Sequence, residues 1–208
     1  GKIFEVPDGN YVYEDDTQVI TNQLYHVAYL QQLDPYLEYD GQEYNSLTKV
    51  SAAITANNDS NAYVKVIADR IAPLQSGDSD AARVGDIKFS QTISANMTLD
   101  LNGHKVELSK PITATAPVKI VDNTYLHDGE LFAPTSITIS TSQQSFTMES
   151  GTIRSQGASG TAVRAQQNFH MNGGLIDAEN VGVFLENATG TADVNGGTIH
   201  GKKIGLKS

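Results

Sequence analysis

Residues that could do chemistry recur in the last third of the chain at one fixed spacing. Arg154, Asp177 and His200 lie 23 residues apart, and so do His170 and Asp193. If these side chains form columns on one face, they could bind an extended anionic or neutral glycan. They could equally form ion pairs between adjacent strands, each worth a fraction of a kcal/mol. The alternation of charge favours ion pairs and keeps glycan binding open.

A second candidate group lies in residues 125–134, which we interpret as an insertion between strands. It contains a His-x-x-Glu grouping formed by His127 and Glu130, with Asp128 between them. Loops on one face of a repeat protein are common places for binding and catalytic residues. The alternative is a solvated turn, and that is the interpretation we favour.

No residue is assigned a catalytic role, and no metal site is assigned. The chain has no cysteine, which excludes thiol nucleophiles and thiolate metal sites. Motifs for phosphate-binding loops, dinucleotide binding and zinc binding are absent. The sequence therefore indicates no cofactor.

The candidate columns are positioned by an internal repeat. Its most regular markers are glycines 23 residues apart: Gly151, Gly174 and Gly197. Around the middle glycine, Phe169 and Met171 share one face of a strand and His170 takes the other, which is the two-residue period of a β-strand. Three such alternations per copy predict three strands per coil. Because one coil cannot bury its apolar face alone, the coils must stack. The sequence predicts an all-β solenoid, a single-stranded parallel β-helix.

Charge and aromatic residues set the N-terminal region apart. Residues 1–48 hold nine acidic side chains and one basic side chain, whereas residues 145–208 hold five of each sign. Seven of the nine tyrosines lie in residues 1–44. An acidic chain with a net charge of −10 argues against nucleic-acid binding, which needs a basic face. We divide the chain into an acidic, Tyr-rich region (1–44) and a parallel β-helix (45–208).

A capping helix is predicted over residues 46–57. Ser46 is a favourable N-cap residue, and Leu47, Val50 and Ile54 follow helical spacing on one face. An open solenoid end exposes apolar core and unpaired strand edges, so a cover is expected there. The helix belongs to a small α+β region at the N-terminal end of the solenoid.

Residues 99–104 read Leu-Asp-Leu-Asn-Gly-His, after a predicted helix, a strand and an Asp-Ile-Lys-Phe segment at 86–89. This series resembles the first coils of right-handed parallel β-helices of the pectate-lyase-like type, found in bacterial surface and secreted proteins. The resemblance covers about residues 45–208. It implies a right-handed β-helix located outside the cell or on its surface. That fold hosts lyases, hydrolases, adhesins and stalks, so the resemblance is specific for fold rather than activity.

The function expected from these features is non-enzymatic: an adhesin, a carbohydrate-binding module or a structural stalk. Its partner would be a polysaccharide or a host or cell-surface glycan. The alternative is a polysaccharide lyase or glycoside hydrolase. Ca²⁺ would be the cofactor under the lyase alternative, although Asp100, Asp122 and Asp128 form no recognisable cluster in the sequence.

Two further expectations concern the context of the chain. No apolar run approaches the roughly 18 to 20 residues of a membrane span, so none is predicted in this segment. The chain stops inside a repeat at Ser208. We therefore expect it to be part of a larger protein.

Overall fold

The computed structural model describes residues 35–70, 91–108, 110–133, 137–142, 145–187 and 189–208. These residues form a parallel β-solenoid with a short helix near its N-terminal end. The segment 86–89 and residues 1–34 lie outside the described residues. The division of the chain at residue 44 therefore stays a prediction.

Three sheets run along the solenoid. The first sheet has the order β17-β14-β11-β8-β5-β3-β1-β2, and its strands in that order are Ala192–Val194, Phe169–Met171, Phe146–Met148, Val118–Val121, Met97–Asp100, Ala62–Val66, Leu37–Tyr39 and Gln42–Tyr44. The second has the order β19-β16-β13-β10-β7-β4, with strands Ile204–Lys207, Val181–Leu185, Thr161–Ala165, Ile139–Thr141, Ile112–Ala114 and Gln91–Ile93. The third has the order β18-β15-β12-β9-β6, with strands Thr198–Gly201, Leu175–Ala178, Thr152–Ser155, Glu130–Ala133 and Lys105–Glu107.

Strands one coil apart pair in parallel, and the predicted alternation decides which side chains enter the core. Phe146 pairs with Phe169 and Met148 with Met171, and all four side chains are fully buried. The two phenylalanine rings stack with centroids 5.9 Å apart, an offset geometry that aromatic pairs favour. The intervening residue points outward on each strand. The predicted three strands per coil of about 23 residues are confirmed.

Glycine is required at the repeated corner. Gly151, Gly174 and Gly197 have φ values of 83°, 84° and 82°, a left-handed conformation that side chains disfavour. A Cβ atom on Gly174 would also lie 2.7 Å from the carbonyl oxygen of Gly151 in the coil below. Both constraints explain why the marker residues of the repeat are glycines.

The predicted capping helix is confirmed as α1, Leu47–Asn57. The hydroxyl of Ser46 accepts a hydrogen bond from the Lys49 amide at 3.1 Å, and Asn58 closes the helix in the left-handed conformation. The Leu47 amide donates to Gln91 Oε1 of β4 at 2.8 Å, which joins the helix to the second sheet. Nothing helical in the described residues has the length and apolar content of a membrane span.

Candidate functional site

The first candidate column lies on the outer surface of the third sheet. Strand register places Arg154, Asp177 and His200 side by side on β12, β15 and β18. Arg154 Nε lies 3.1 Å from Asp177 Oδ2, and His200 Nδ1 lies 2.7 Å from Asp177 Oδ1. Arg154 Nη1 lies 2.7 Å from Glu130 Oε1 on β9. We call these four residues the ion-paired row.

Opposite charges lie next to one another along the ion-paired row. Burial alone would raise the pKa of Asp177, but its hydrogen bonds to His200 and Arg154 outweigh burial and hold the pKa below its usual value. The Arg154 guanidinium donates a hydrogen bond from Nε to Asp177 and forms an ion pair with Glu130 through Nη1. This geometry supports the ion-pair interpretation of the column.

The prediction that residues 125–134 form an insertion is wrong for Glu130–Ala133, which form strand β9. Glu130 begins β9, which pairs with β12 along its whole length, and only 8% of the residue is exposed. Leu131 and Ala133 point into the core, so the two-residue alternation of a strand continues where a loop was expected. Glu130 therefore belongs to the ion-paired row and not to a loop.

The remaining loop is shaped by a buried carboxylate. Asp122 is fully buried and accepts hydrogen bonds from the amides of Gly103 at 3.1 Å, Thr124 at 3.0 Å and Gly129 at 2.5 Å. Burial would raise the pKa of Asp122, but these bonds together lower it. His127 Nδ1 lies 2.5 Å from the Asp122 carbonyl oxygen. The loop is a structured corner, and the contact of His127 with the Asp122 backbone helps to hold its conformation.

The described residues contain no group of three His, Asp or Glu side chains able to hold a metal ion. Asp100 and Asp122 instead accept hydrogen bonds at the corners, and the side chain of Asp128 lies beside Gly103. Ca²⁺ thus stays an expectation of the lyase alternative alone.

A second column crosses the first sheet and is longer than the sequence indicated. Register continues the predicted His170 and Asp193 pair through four further strands. We call the outward residues of this column the open row, and they are Tyr63, Thr98, Lys119, Thr147, His170 and Asp193. Strands in a sheet lie about 4.8 Å apart, so these six positions span about 24 Å.

Contacts in the open row are loose. His170 Nδ1 lies 3.8 Å from Asp193 Oδ2, and Lys119 Nζ lies 3.9 Å from Glu149 Oε1. These distances exceed the normal range of a hydrogen bond. The side chains of Lys119, His170 and Asp193 are also about half exposed. Their donors and acceptors therefore remain accessible to a ligand.

The open row ends in a shallow depression of about 540 Å³. It is lined by residues from the end of β1 and the turn after it, the end of α1 and the segment after it, and strand β3: Tyr39, Asp40, Asn57, Asp59, Asn61 and Tyr63. Tyr63, which is 46% exposed, belongs to both features. Its hydroxyl donates to Asp100 and accepts from Asn123 Nδ2 at 2.6 Å. The ring is thereby fixed with part of its surface in solvent.

No protein-family model, curated protein or solved structure matches this chain. We therefore derive a function from the two rows and the depression.

The depression combines an exposed aromatic surface with carboxylates and amides. An aromatic ring offers a flat apolar face, and Asp and Asn side chains accept or donate hydrogen bonds to hydroxyl groups. Sugars present both kinds of surface. This depression could not be predicted from the sequence, because its residues come from separate elements that meet only after folding. The available signal was the cluster of tyrosines before residue 45, combined with the Asn57–Asn61 turn that ends the cap helix.

Proposed function

We propose that the protein is a non-enzymatic β-solenoid that binds a glycan outside the cell or on its surface. The binding face is the open row together with the depression. The observation that carries the proposal is the fixed, half-exposed ring of Tyr63 at the junction of the two. The resemblance of residues 45–208 to surface and secreted β-helix proteins supports the location.

The open row suits a linear polymer. Its outward side chains follow one another at the strand spacing of about 4.8 Å, which is close to the length of one sugar ring in an extended chain. A polysaccharide lying along the first sheet would therefore meet one side chain per sugar. The depression would hold one end of the bound segment, where the Tyr63 ring offers a stacking surface.

Glycan-array binding together with a reducing-sugar and lyase assay, with and without Ca²⁺, tests this proposal. We expect binding without product formation. Release of unsaturated or reducing ends would contradict the non-enzymatic proposal and support the lyase or hydrolase alternative. An array with no binding would contradict glycan recognition and leave a structural stalk.

Substitution of Tyr63 tests the binding face directly. Tyr63→Ala removes the stacking surface, and loss of an aromatic contact worth about 1 to 2 kcal/mol corresponds to a roughly 5- to 30-fold weaker affinity. Tyr125→Ala is the matched control, since Tyr125 is 95% exposed and lies outside both the open row and the depression. Equal losses for the two variants would contradict the assignment. Thermal unfolding of both variants checks that the fold is kept.

A further inference from the structure

The depression has a one-sided charge. Two of its six lining residues, Asp40 and Asp59, are carboxylates, and none of the six is basic. A third carboxylate, Asp100, lies behind the exposed ring of Tyr63 and is itself 2% exposed. A ligand entering the depression therefore meets negative charge on the wall and behind the aromatic surface.

Tyr39, in the wall of the depression, lies close to both carboxylates. The hydrogen bond that Asn57 donates to Tyr39 favours the phenolate, yet burial and the charges of Asp59 and Asp40 raise the pKa of Tyr39. The Tyr39 hydroxyl also donates to Asp59 Oδ2 at 3.1 Å. Asp59 thus contacts the Tyr39 hydroxyl directly, Asp40 follows Tyr39 in the chain, and both carboxylates line the depression.

The exposed ring of Tyr63 is suited to contact a cation. The Tyr63 hydroxyl donates to the Asp100 carboxylate, and burial together with that bond raises the pKa of Tyr63 to about 12. Donation to a buried carboxylate polarises the phenol and increases electron density on the ring. Because cations are attracted to the face of an electron-rich ring, this bond strengthens the attraction of Tyr63 for an ammonium group.

We infer that the sugar bound in the depression carries a protonated amine, as in a glucosamine polymer. This inference rests on the proposed function. The sugar ring lies against Tyr63, and the ammonium group lies between that ring and the carboxylates of Asp40 and Asp59. The same charges repel uronic acids, so the site discriminates against acidic polysaccharides. The open row then contacts the sugars that follow along the chain.

Titration calorimetry with two matched oligosaccharides tests the inference. Glucosamine oligomers and their N-acetylated counterparts of equal length share their ring and linkage and differ in the charged amine. We expect the amine form to bind at least about 10-fold more tightly at low ionic strength. This preference should shrink as salt screens the charges and as rising pH removes the proton from the amine. Galacturonate oligomers should bind more weakly than either.

Asp40→Asn is the decisive variant, because Asn tolerates the left-handed conformation that Asp40 adopts at φ 52° and keeps the side-chain shape. It should reduce the preference for the amine form several-fold, measured as the ratio of the two affinities within this one variant. Glu179→Gln removes an equal charge at an exposed pair with Lys202 outside the depression, and should change neither ligand.

The outcomes separate this inference from the proposed function. Equal affinity for the two oligomers, or an unchanged preference in Asp40→Asn, would overturn the amine inference and leave glycan binding standing. Tighter binding of galacturonate would overturn it as well. If no glycan of any charge binds, the proposed function itself fails.

Discussion

Two rows of outward side chains run along this solenoid, and they use the same repeat in opposite ways. In the ion-paired row on the third sheet, Arg154, Asp177 and His200 contact one another at 2.7 to 3.1 Å. In the open row on the first sheet, His170 and Asp193 stand in the same one-coil relation but lie 3.8 Å apart. Equal spacing along the sequence therefore does not give equal contact.

The difference lies in the side chains that occupy the middle of each row. Arg154 has a planar fork of donors that reaches Glu130 on one side and Asp177 on the other. The open row has Lys119 and threonines in its middle, and a lysine offers a point charge on a flexible stem. In a row with a bridging arginine, the charged side chains pair with one another. In a row without one, the polar groups stay available to a ligand. We therefore expect the first row to contribute to stability, and the second row is the one proposed to bind.

The largest effect should come from removing the bridge. Arg154→Ala leaves Glu130, whose side chain is 11% exposed, without its cation and takes from Asp177, two strands away, one of its two partners. We expect the free energy of unfolding to fall by about 1 to 3 kcal/mol, as for other polar groups that lose a partner. Urea unfolding measures this change. Glycan affinity should stay within about 2-fold of the unsubstituted protein.

Arg154→Lys is the control for this substitution. It keeps the charge and loses the fork, so it should recover only part of the lost stability. Full recovery would mean that charge alone holds the row together. A large loss of glycan affinity in either variant would contradict the division of roles between the two rows.

A smaller effect is expected in acid. The pKa of Asp177 is depressed in the folded state, so its contribution is present above the ordinary carboxyl value of 3.8 and is lost as pH falls through the folded value. Asp177→Asn should therefore lose less stability between pH 5 and pH 2 than the unsubstituted protein, by about 1 kcal/mol or less. Urea unfolding across this range measures the two slopes. Asp122, whose pKa is also depressed, keeps some acid sensitivity in both proteins. Identical slopes would contradict a role for the row in acid stability.

Much of the solenoid was predictable because its signals are local. The alternation around Phe169 and Met171 and the glycine spacing required only the sequence, and the structure confirms the sheets and the corner that they predict. Ser46 and the apolar spacing that follows it likewise predicted α1 to within one residue. These features depend on neighbours in the chain or on the repeat itself.

The candidate site was less predictable because its signals are not local. Repeat spacing placed His170 beside Asp193 but could not show that the column continues to Tyr63, since the earlier coils lack the 23-residue period. Glu130 was assigned to a loop because residues 125–134 were interpreted as an insertion between strands. Only its pairing with β12 reveals the strand. The distances between side chains within each row depend on the length and conformation of those side chains. The repeat spacing in the sequence gives only their register.

The smallest effect should come from the distal end of the open row. Asp193→Asn removes one partner of an exposed and loosely contacting pair, so the free energy of unfolding should change by less than about 0.5 kcal/mol. Its effect should appear instead in binding, where long oligosaccharides that reach β17 lose about 2- to 3-fold in affinity and short ones lose nothing. Calorimetry with oligomers of increasing length measures this dependence. Because β17 lies five strands from Tyr63 in the first sheet, a loss that is the same for short and long oligomers would contradict a ligand lying along the row. A loss of stability as large as that of Arg154→Ala would mean that both rows are structural.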